Sequence, residues 1–437
     1  MKTNYSKVAS LGIQHVLAMY AGAIIVPLIV GGALQLTQEQ LTYLVAIDLL
    51  MCGVATILQA LNSKYLGIGL PVMLGCTFTA VGPMIAIGSQ YGVGAVYGSI
   101  IVAGVFVVLF SSLFGKLGRI FPQVVTGSVV TIIGVTLIPV AINDMAGGMG
   151  SKDFGSLTNL ALSFGVLMFI LVVYKTATGF IKSISILLGI IFGTVASMAL
   201  GFVNFDAVAN ASWFHLPQPF FFGKPTFELT PIITMILVAL VGVVEATGVY
   251  FALSDITNKK LTNKDLSNGY RAEGIAQILG GIFNAFPYTT YSQNVGLVQL
   301  SGVKDRIIIF TAGGILVLLG FVPKIAALTT VIPTPVLGGA MLAMFGMVIA
   351  YGIKMLSNVD FSSQENLLIV ACSVGIGLGV TVVPNLFDNL PESIKILTSN
   401  GIVLGSLTAV FLNILFNILP SFDRTKANVE DAKSLAS

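Results

Sequence analysis

Apolar runs of about 20 residues, the length needed to cross a bilayer, recur at 10–30, 41–60, 97–115, 124–143, 159–179, 182–203, 231–253, 306–323, 331–352, 365–383 and 399–419. Each predicts a membrane-spanning helix. Three more apolar segments, 71–88, 272–285 and 287–301, are short or interrupted. The first carries Pro71, Gly75, Gly82 and Pro83, and the last follows Pro287 and holds Ser292, Gln293, Asn294 and Gly296. Counted as spans, they bring the total to fourteen and predict an all-α polytopic membrane protein.

Composition agrees with the pattern. Of 437 residues, 56% are hydrophobic and 9% charged, against roughly 25% charged in an average soluble domain. The mean hydropathy is +0.97, so a water-soluble globule is excluded. The net charge of +3 gives nucleic-acid binding no support. Cys52, Cys76 and Cys372 lie in apolar runs without C-x-x-C spacing, which suggests neither a disulfide framework nor a metal site. The N-terminal run lacks a small-residue cleavage site and reads as a first span rather than a removable signal peptide.

With fourteen crossings, seventeen of the Lys and Arg residues fall on the side of the two termini, and only Lys152, Lys224, Lys324 and Lys395 on the other. By the positive-inside rule both termini are cytoplasmic. The frame Phe121-Pro122-Gln123-Val124-Val125-Thr126-Gly127 returns as Ile332-Pro333-Thr334-Pro335-Val336-Leu337-Gly338, and both interrupted segments begin at proline, Pro71 and Pro287. Each pair is seven spans apart. An odd number of spans per half inverts the second half, which is the plan of many secondary transporters, and matching broken segments then mark the binding site.

An ionisable group at bilayer depth costs about 2.5–3.5 kcal/mol on insertion scales. Glu245 is the strongest case, with no other charge from Pro231 to Leu253. It reads as a substrate or proton site, or as a neutral acid bonded between helices. Gln293 and Asn294 each offer an acceptor beside a donor, which suits the O=C–N–H edge of a nucleobase; the alternative is helix–helix bonding. His15, beside Gln14, reads first as a structural histidine and second as support for the site or for proton coupling. Asp48 divides evenly between structure and function, and Glu273 passes as a solvated helix-start carboxylate. Thr77, Phe78 and Thr79 lie in the interrupted third span, where a free backbone N–H can meet a ligand and the Phe78 ring can stack on it. Gly296 fits a close backbone approach or a broken segment. No phosphate loop, metal cluster or activated nucleophile is visible, which disfavours an enzyme and requires no cofactor.

The run from Gln293-Asn294-Val295-Gly296 through Ser301 to Arg306 resembles the signature of the nucleobase–ascorbate transporter family. So do Gln14-His15, Glu245-Ala246-Thr247-Gly248, and Gly75-Cys76-Thr77-Phe78 before Gly82-Pro83. The resemblance implies two inverted seven-span repeats with short strands in the third and tenth spans. It implies a core domain (1–120 and 229–325), a gate domain (121–228 and 326–420) and a tail (421–437). It further implies a homodimer in the cell membrane and proton-coupled transport. Glu245 and Gln293 match the substrate-binding side chains and Phe78 the residue that meets the base. Thr77 and Ser292, beside these positions, are further candidate substrate-binding residues, His15 matches a supporting histidine and Asn294 a neighbour that tunes affinity and specificity. Glu273 matches an essential carboxylate, usually Asp, of a purine-transporting branch, and proton coupling then falls to Glu245, Glu273 and His15. Asn400, Ile402 and Gly296 match gate or selectivity positions. Gln rather than Glu at 293 points to a purine such as xanthine. Ser301 in place of the commoner Thr, and Lys304-Asp305 before Arg306, depart from the pattern and bear on fine specificity.

The expected function is therefore uptake of xanthine by proton symport. The alternatives are uric acid or uracil transport and, less favoured, an anion carrier of the same architecture or a channel. Against the anion carrier stand an acidic centre, which repels anions, and the 17 residues after Pro420, too few for a large C-terminal domain.

Overall fold

The computed structural model describes residues 5–116, 121–302, 304–391, 395 and 398–419, apart from the side chains of Tyr5, Gln293, Leu300, Ser301 and Pro384. The expected tail, 421–437, lies outside the described residues. The first half contains helices α1 (Tyr5–Ala33), α2 (Gln38–Ala60), α3 (Val81–Tyr91), α4 (Val93–Lys116), α5 (Gln123–Met145), α6 (Leu157–Thr176), the short α7 (Gly179–Ser183), α8 (Ser185–Ala199) and the short α9 (Asp206–Asn210). The second contains α10 (Leu229–Thr257), α11 (Asn263–Ile282), α12 (Ser292–Ser301), α13 (Arg306–Gly320), α14 (Pro323–Thr330), α15 (Thr334–Leu356), α16 (Gln364–Val382) and α17 (Gly401–Asn413), which continues as a π turn to Ile418. Two three-residue strands, β1 (Leu74–Cys76) and β2 (Tyr288–Thr290), precede α3 and α12.

Among the described residues nine helices are long and apolar enough to cross a membrane, fewer than the eleven long runs predict. The run 182–203 forms only the 15-residue α8. The run 306–323 is cut at Pro323, where α13 turns into α14 through 81°, because proline cannot continue the hydrogen-bond ladder of a preceding helix. The segment 272–285 errs the other way. A capping box between Thr262 and Asp265 starts α11 at Asn263, and its polar first half escapes an apolar window. The side chains of Met168, Leu171, Phe192, Val195, Leu367 and Val382 point outward from α6, α8 and α16. Such apolar surface suits lipid rather than water.

Helices meet where small residues permit. Along the α4–α11 contact, a methyl group on Gly104 would lie 2.7 Å from the Gly274 carbonyl oxygen, and one on Gly274 2.8 Å from that of Gly104. Gly53 and Gly313 face each other in the same way between α2 and α13. Close backbone approach maximises dispersion where lipid removes the hydrophobic drive. The helices α5 and α15, which begin at the two echoing proline frames, pack along one another.

Candidate functional site

The strands β1 and β2 pair antiparallel in mid-molecule, with Leu74 opposite Thr290, Gly75 opposite Thr289 and Cys76 opposite Tyr288. Further bonds clamp the crossing, from Thr77 N–H to Pro287 O (2.9 Å) and from Tyr291 N–H to Met73 O (2.9 Å). Chain direction then changes on both sides. The Thr77 hydroxyl accepts from Thr79 N–H and opens the 3-10 turn Phe78–Ala80 that leads into α3, while α12 begins at Ser292. Two helix N-termini thus converge beside the strands, each a source of partial positive charge and unbonded N–H groups.

Glu245 on α10 faces this junction. It is half-buried, its Oε2 has no hydrogen-bond partner, and its polar neighbour is the Thr79 side chain, whose hydroxyl is also unsatisfied. Buried polar atoms without partners are uncommon, yet five gather around the strand crossing: Thr79 Oγ1, Glu245 Oε2, Thr289 Oγ1, Thr290 Oγ1 and Asn294 Oδ1. The Phe78 ring is buried and meets Phe345 of α15 edge-on, with centroids 5.5 Å apart. The site therefore combines an aromatic face, a carboxylate, hydroxyls and helix N-termini.

Asn294 reaches α1. Its Nδ2 donates to the His15 carbonyl (3.2 Å) and lies 3.1 Å from His15 Nδ1. Since a carbonyl only accepts, the amide orientation is fixed, His15 Nδ1 accepts too, and the ring hydrogen sits on Nε2. His15 is thereby a support for Asn294. Gln293 lies on the first turn of α12, and its side chain falls outside the described residues; Ser292 opens the helix. Asn400 caps α17 by accepting from Val403 N–H (2.9 Å), and its Nδ2 abuts Gly82 at the start of α3, with buried Ile402 beside it. One expectation is corrected. Gly296 is no close-approach glycine, for nothing lies within 4 Å of where its Cβ would be.

Two acidic residues sit behind the junction. Asp48, fully buried on α2, accepts from the Tyr288 hydroxyl of β2 (2.9 Å), which makes it a pin for the strand. Glu273 is buried rather than solvated, again against the reading from composition. It accepts from the Tyr250 hydroxyl (2.6 Å), which in turn accepts from Gln59 Nε2. Sequence reasoning left out Gln59, Tyr250, Thr289 and Thr290. The signal available was polar residues in apolar runs, too common among Thr and Tyr to single them out.

A cavity of about 500 Å³ opens from the Lys/Arg-rich side toward this junction. Its walls include Gly248 and Asp255 of α10, Val295 and Gln299 of α12, Thr126 of α5 and Lys354 of α15. Gly248 lies three positions beyond Glu245 on α10, and Glu245 itself is not in the cavity wall. A second cavity, about 670 Å³, lies on the opposite side under the segment 206–221 and is lined by Tyr43, His215 and Phe221.

Comparison with known proteins gives a consistent result. A family model described as a permease family, Xan_ur_permease, matches residues 6–386. The chain is 64% identical over 432 residues to the xanthine permease of Bacillus subtilis (strain 168), covering 99% of this chain and 98% of that one. It is 63% identical over 413 residues to the uric acid permease PucK of the same organism, covering 94% and 96%. Among solved structures, the transmembrane domain of a cyanobacterium bicarbonate transporter, BicA, superposes with a TM-score of 0.64 at 17% identity, over 88% of this chain and 97% of that one. That likeness establishes a shared transporter fold and nothing about cargo.

Proposed function

The chain belongs to the nucleobase–ascorbate transporter family of permeases, and from that premise we propose that it carries xanthine into the cell by proton symport. The observation that supports this most directly is the set of unsatisfied polar atoms around the strand crossing, with Glu245 opposite two helix N-termini and Phe78 alongside. Xanthine presents ring N–H donors, carbonyl acceptors and a flat aromatic face. The Glu245 carboxylate accepts from a ring N–H, and the first amides of the 3-10 turn and α12 donate to a carbonyl. The Phe78 ring covers a face, and Gln293 reads an O=C–N–H edge. Uric acid offers the same groups and one more carbonyl, and the 63% identity to a uric acid permease makes it the second reading.

Alternating access follows from two bundles that slide past one another. In this reading the chain has fourteen spans in two inverted repeats, and the packing is consistent with it. Exchanging each span for its counterpart seven spans on converts the α2–α13 contact into α11–α4, α1–α13 into α10–α4, and α6–α8 into α16–α17, and all six contacts are extensive. The core comprises 1–120 and 229–325, the gate 121–228 and 326–420. The cavity ending at Gly248 is then the inward-open vestibule, and the Lys/Arg-rich side with both termini is cytoplasmic. A homodimer would cover part of the apolar surface of the gate.

Labelled xanthine uptake in cells lacking their own purine permeases, with and without a proton uncoupler, tests the reading. Accumulation that the uncoupler abolishes and Glu245→Ala removes is expected. Full uptake by Glu245→Ala, or indifference to the uncoupler, would overturn it, and competition by uric acid, guanine and uracil ranks the cargo.

A further inference from the structure

Gln59, Tyr250 and Glu273 form a continuous polar chain inside the apolar contact of α2, α10 and α11, with Gln59 and Tyr250 fully enclosed and Glu273 2% exposed. With Gln59 Nε2 turned toward Tyr250, the Tyr250 oxygen accepts from it and the Tyr250 hydroxyl hydrogen goes to Glu273 Oε1. When Glu273 carries a proton, that proton sits on Oε2. When the proton leaves, the carboxylate keeps the bond from Tyr250, now charge-assisted and stronger. The far end of the chain is the last turn of α2, where Gln59 Oε1 is buried without a partner. There the Ala60 carbonyl accepts from Arg306 and the Gln59 carbonyl accepts from the backbone N–H groups of Ile68 and Gly69.

We propose that Tyr250 and Gln59 are positioning residues for proton coupling, holding the Glu273 carboxyl so that it gains and loses one proton in each transport cycle. The step is a single proton transfer, Glu273 Oε2–H to water, with no other bond made or broken. The ionisable groups bearing on Glu273 are few: Tyr250 and Glu245 from α10 and Tyr270 from its own helix, whose hydroxyl is engaged with Thr247 Oγ1 (2.6 Å). From α2 it meets only the neutral Gln59 through Tyr250, and α4 carries only Tyr97 and Lys116, near its two ends. Among these groups Tyr250 is the one that hydrogen-bonds Glu273 directly. Tyr250 lies five positions from Glu245 on the same helix, so this bond and the strand crossing share α10.

The inference rests on proton symport, and the experiment separates the two. Initial rates of labelled xanthine uptake are measured between pH 5.5 and 8.5 for the full-length wild type, Tyr250→Phe, Gln59→Leu, Glu273→Gln and the Tyr250→Phe/Glu273→Gln double variant, each normalised to protein in the membrane. Removing one hydrogen bond to the ionised carboxyl makes the proton harder to release. The alkaline limb of the Tyr250→Phe profile is expected to move up by about one pH unit, with Vmax reduced several-fold and KM within twofold. Gln59→Leu, which keeps the tyrosine ring, should shift the profile the same way by less, and it carries the test if Tyr250→Phe fails to reach the membrane. In the Glu273→Gln background, followed by xanthine exchange at equal concentration and pH on both sides rather than by proton-driven uptake, Tyr250→Phe should add no shift. Unshifted profiles in gradient-dependent protein, or a shift that persists without Glu273, overturn the inference alone. A wild type indifferent to the proton gradient overturns it together with symport.

Discussion

Gly274 is the residue next to Glu273 and the point where α11 touches α4, so a methyl group there perturbs both stability and the buried network. A Cβ at Gly274 would stand 2.8 Å from the Gly104 carbonyl oxygen and 2.9 Å from the Val108 backbone nitrogen. Both are backbone atoms of a helix and neither can rotate aside. Ordinary van der Waals contact starts at 3.4 Å, so the helices must part locally by about 0.6 Å. A gap of that size forfeits a quarter to a half of the dispersion well for each atom pair it opens, and overpacking of this kind costs about 1–3 kcal/mol. Gly296→Ala is the internal control, because nothing lies within 4 Å of its added methyl. The assay is the temperature at which detergent-solubilised protein loses monodispersity, measured for Gly274→Ala, Gly104→Ala and Gly296→Ala. The first two should fall clearly below wild type and the third should match it. Equal stability of Gly274→Ala and Gly296→Ala would refute the close-packed account of this helix pair.

Three further outcomes follow from the site. Asp48→Leu strands the buried Tyr288 hydroxyl at a cost of about 1–3 kcal/mol, whereas Asp48→Asn keeps an acceptor; membrane protein yield after heating should separate them, and loss of transport by a stable Asp48→Asn would show that the carboxyl does more than pin β2. Asn294→Leu removes both bonds to His15 and should raise the KM for xanthine about tenfold, worth ~1.4 kcal/mol; an unchanged KM would disconnect α1 from the site. Glu245→Gln keeps a carbonyl acceptor but deletes the negative charge that faces the helix N-termini. Competition assays should show residual binding shifted toward urate, the anion of uric acid, by tenfold or more relative to neutral xanthine, and an unchanged preference would contradict the electrostatic reading.

Where in the chain the membrane segments lie was readable because a bilayer demands uninterrupted apolar length, and α1, α2, α4, α5, α6, α10, α15, α16 and α17 satisfy that demand alone. The partly polar α11 was not, since its first half is specified by the Thr262–Asp265 capping box rather than by hydropathy. Pro71 and Pro287 foretold the broken segments, but the register that sets Cys76 against Tyr288 joins residues more than 200 positions apart and leaves no local trace. For the same reason the depth of Glu245 in a charge-free run was visible, while the solvated reading of Glu273 failed. Glu273 lies midway along α11 rather than at a helix start, and whether its carboxyl meets water or the Tyr250 hydroxyl depends on how α10 packs on α11, which the residues around 273 do not encode.

The two helix N-termini at the strand crossing bear on what the proposed site would select. Their arrangement by itself favours an anion. Glu245 faces those N-termini here, with Oε2 buried and unpaired. When ionised, Glu245 would offset the partial charges that hold an anion, and its lone pairs require a donor. A ligand satisfies both walls only if it is close to neutral overall and presents acceptors on one edge and N–H donors on another, across a plane thin enough to lie on Phe78. A fully deprotonated oxyanion fails both, because it carries net charge and has no donor for the carboxylate. A lactam-bearing purine meets both, and on the proposed reading its proton-rich edge would lie against Glu245, the acidic group deep in the charge-free run of α10, so that charge balance there would become part of substrate recognition.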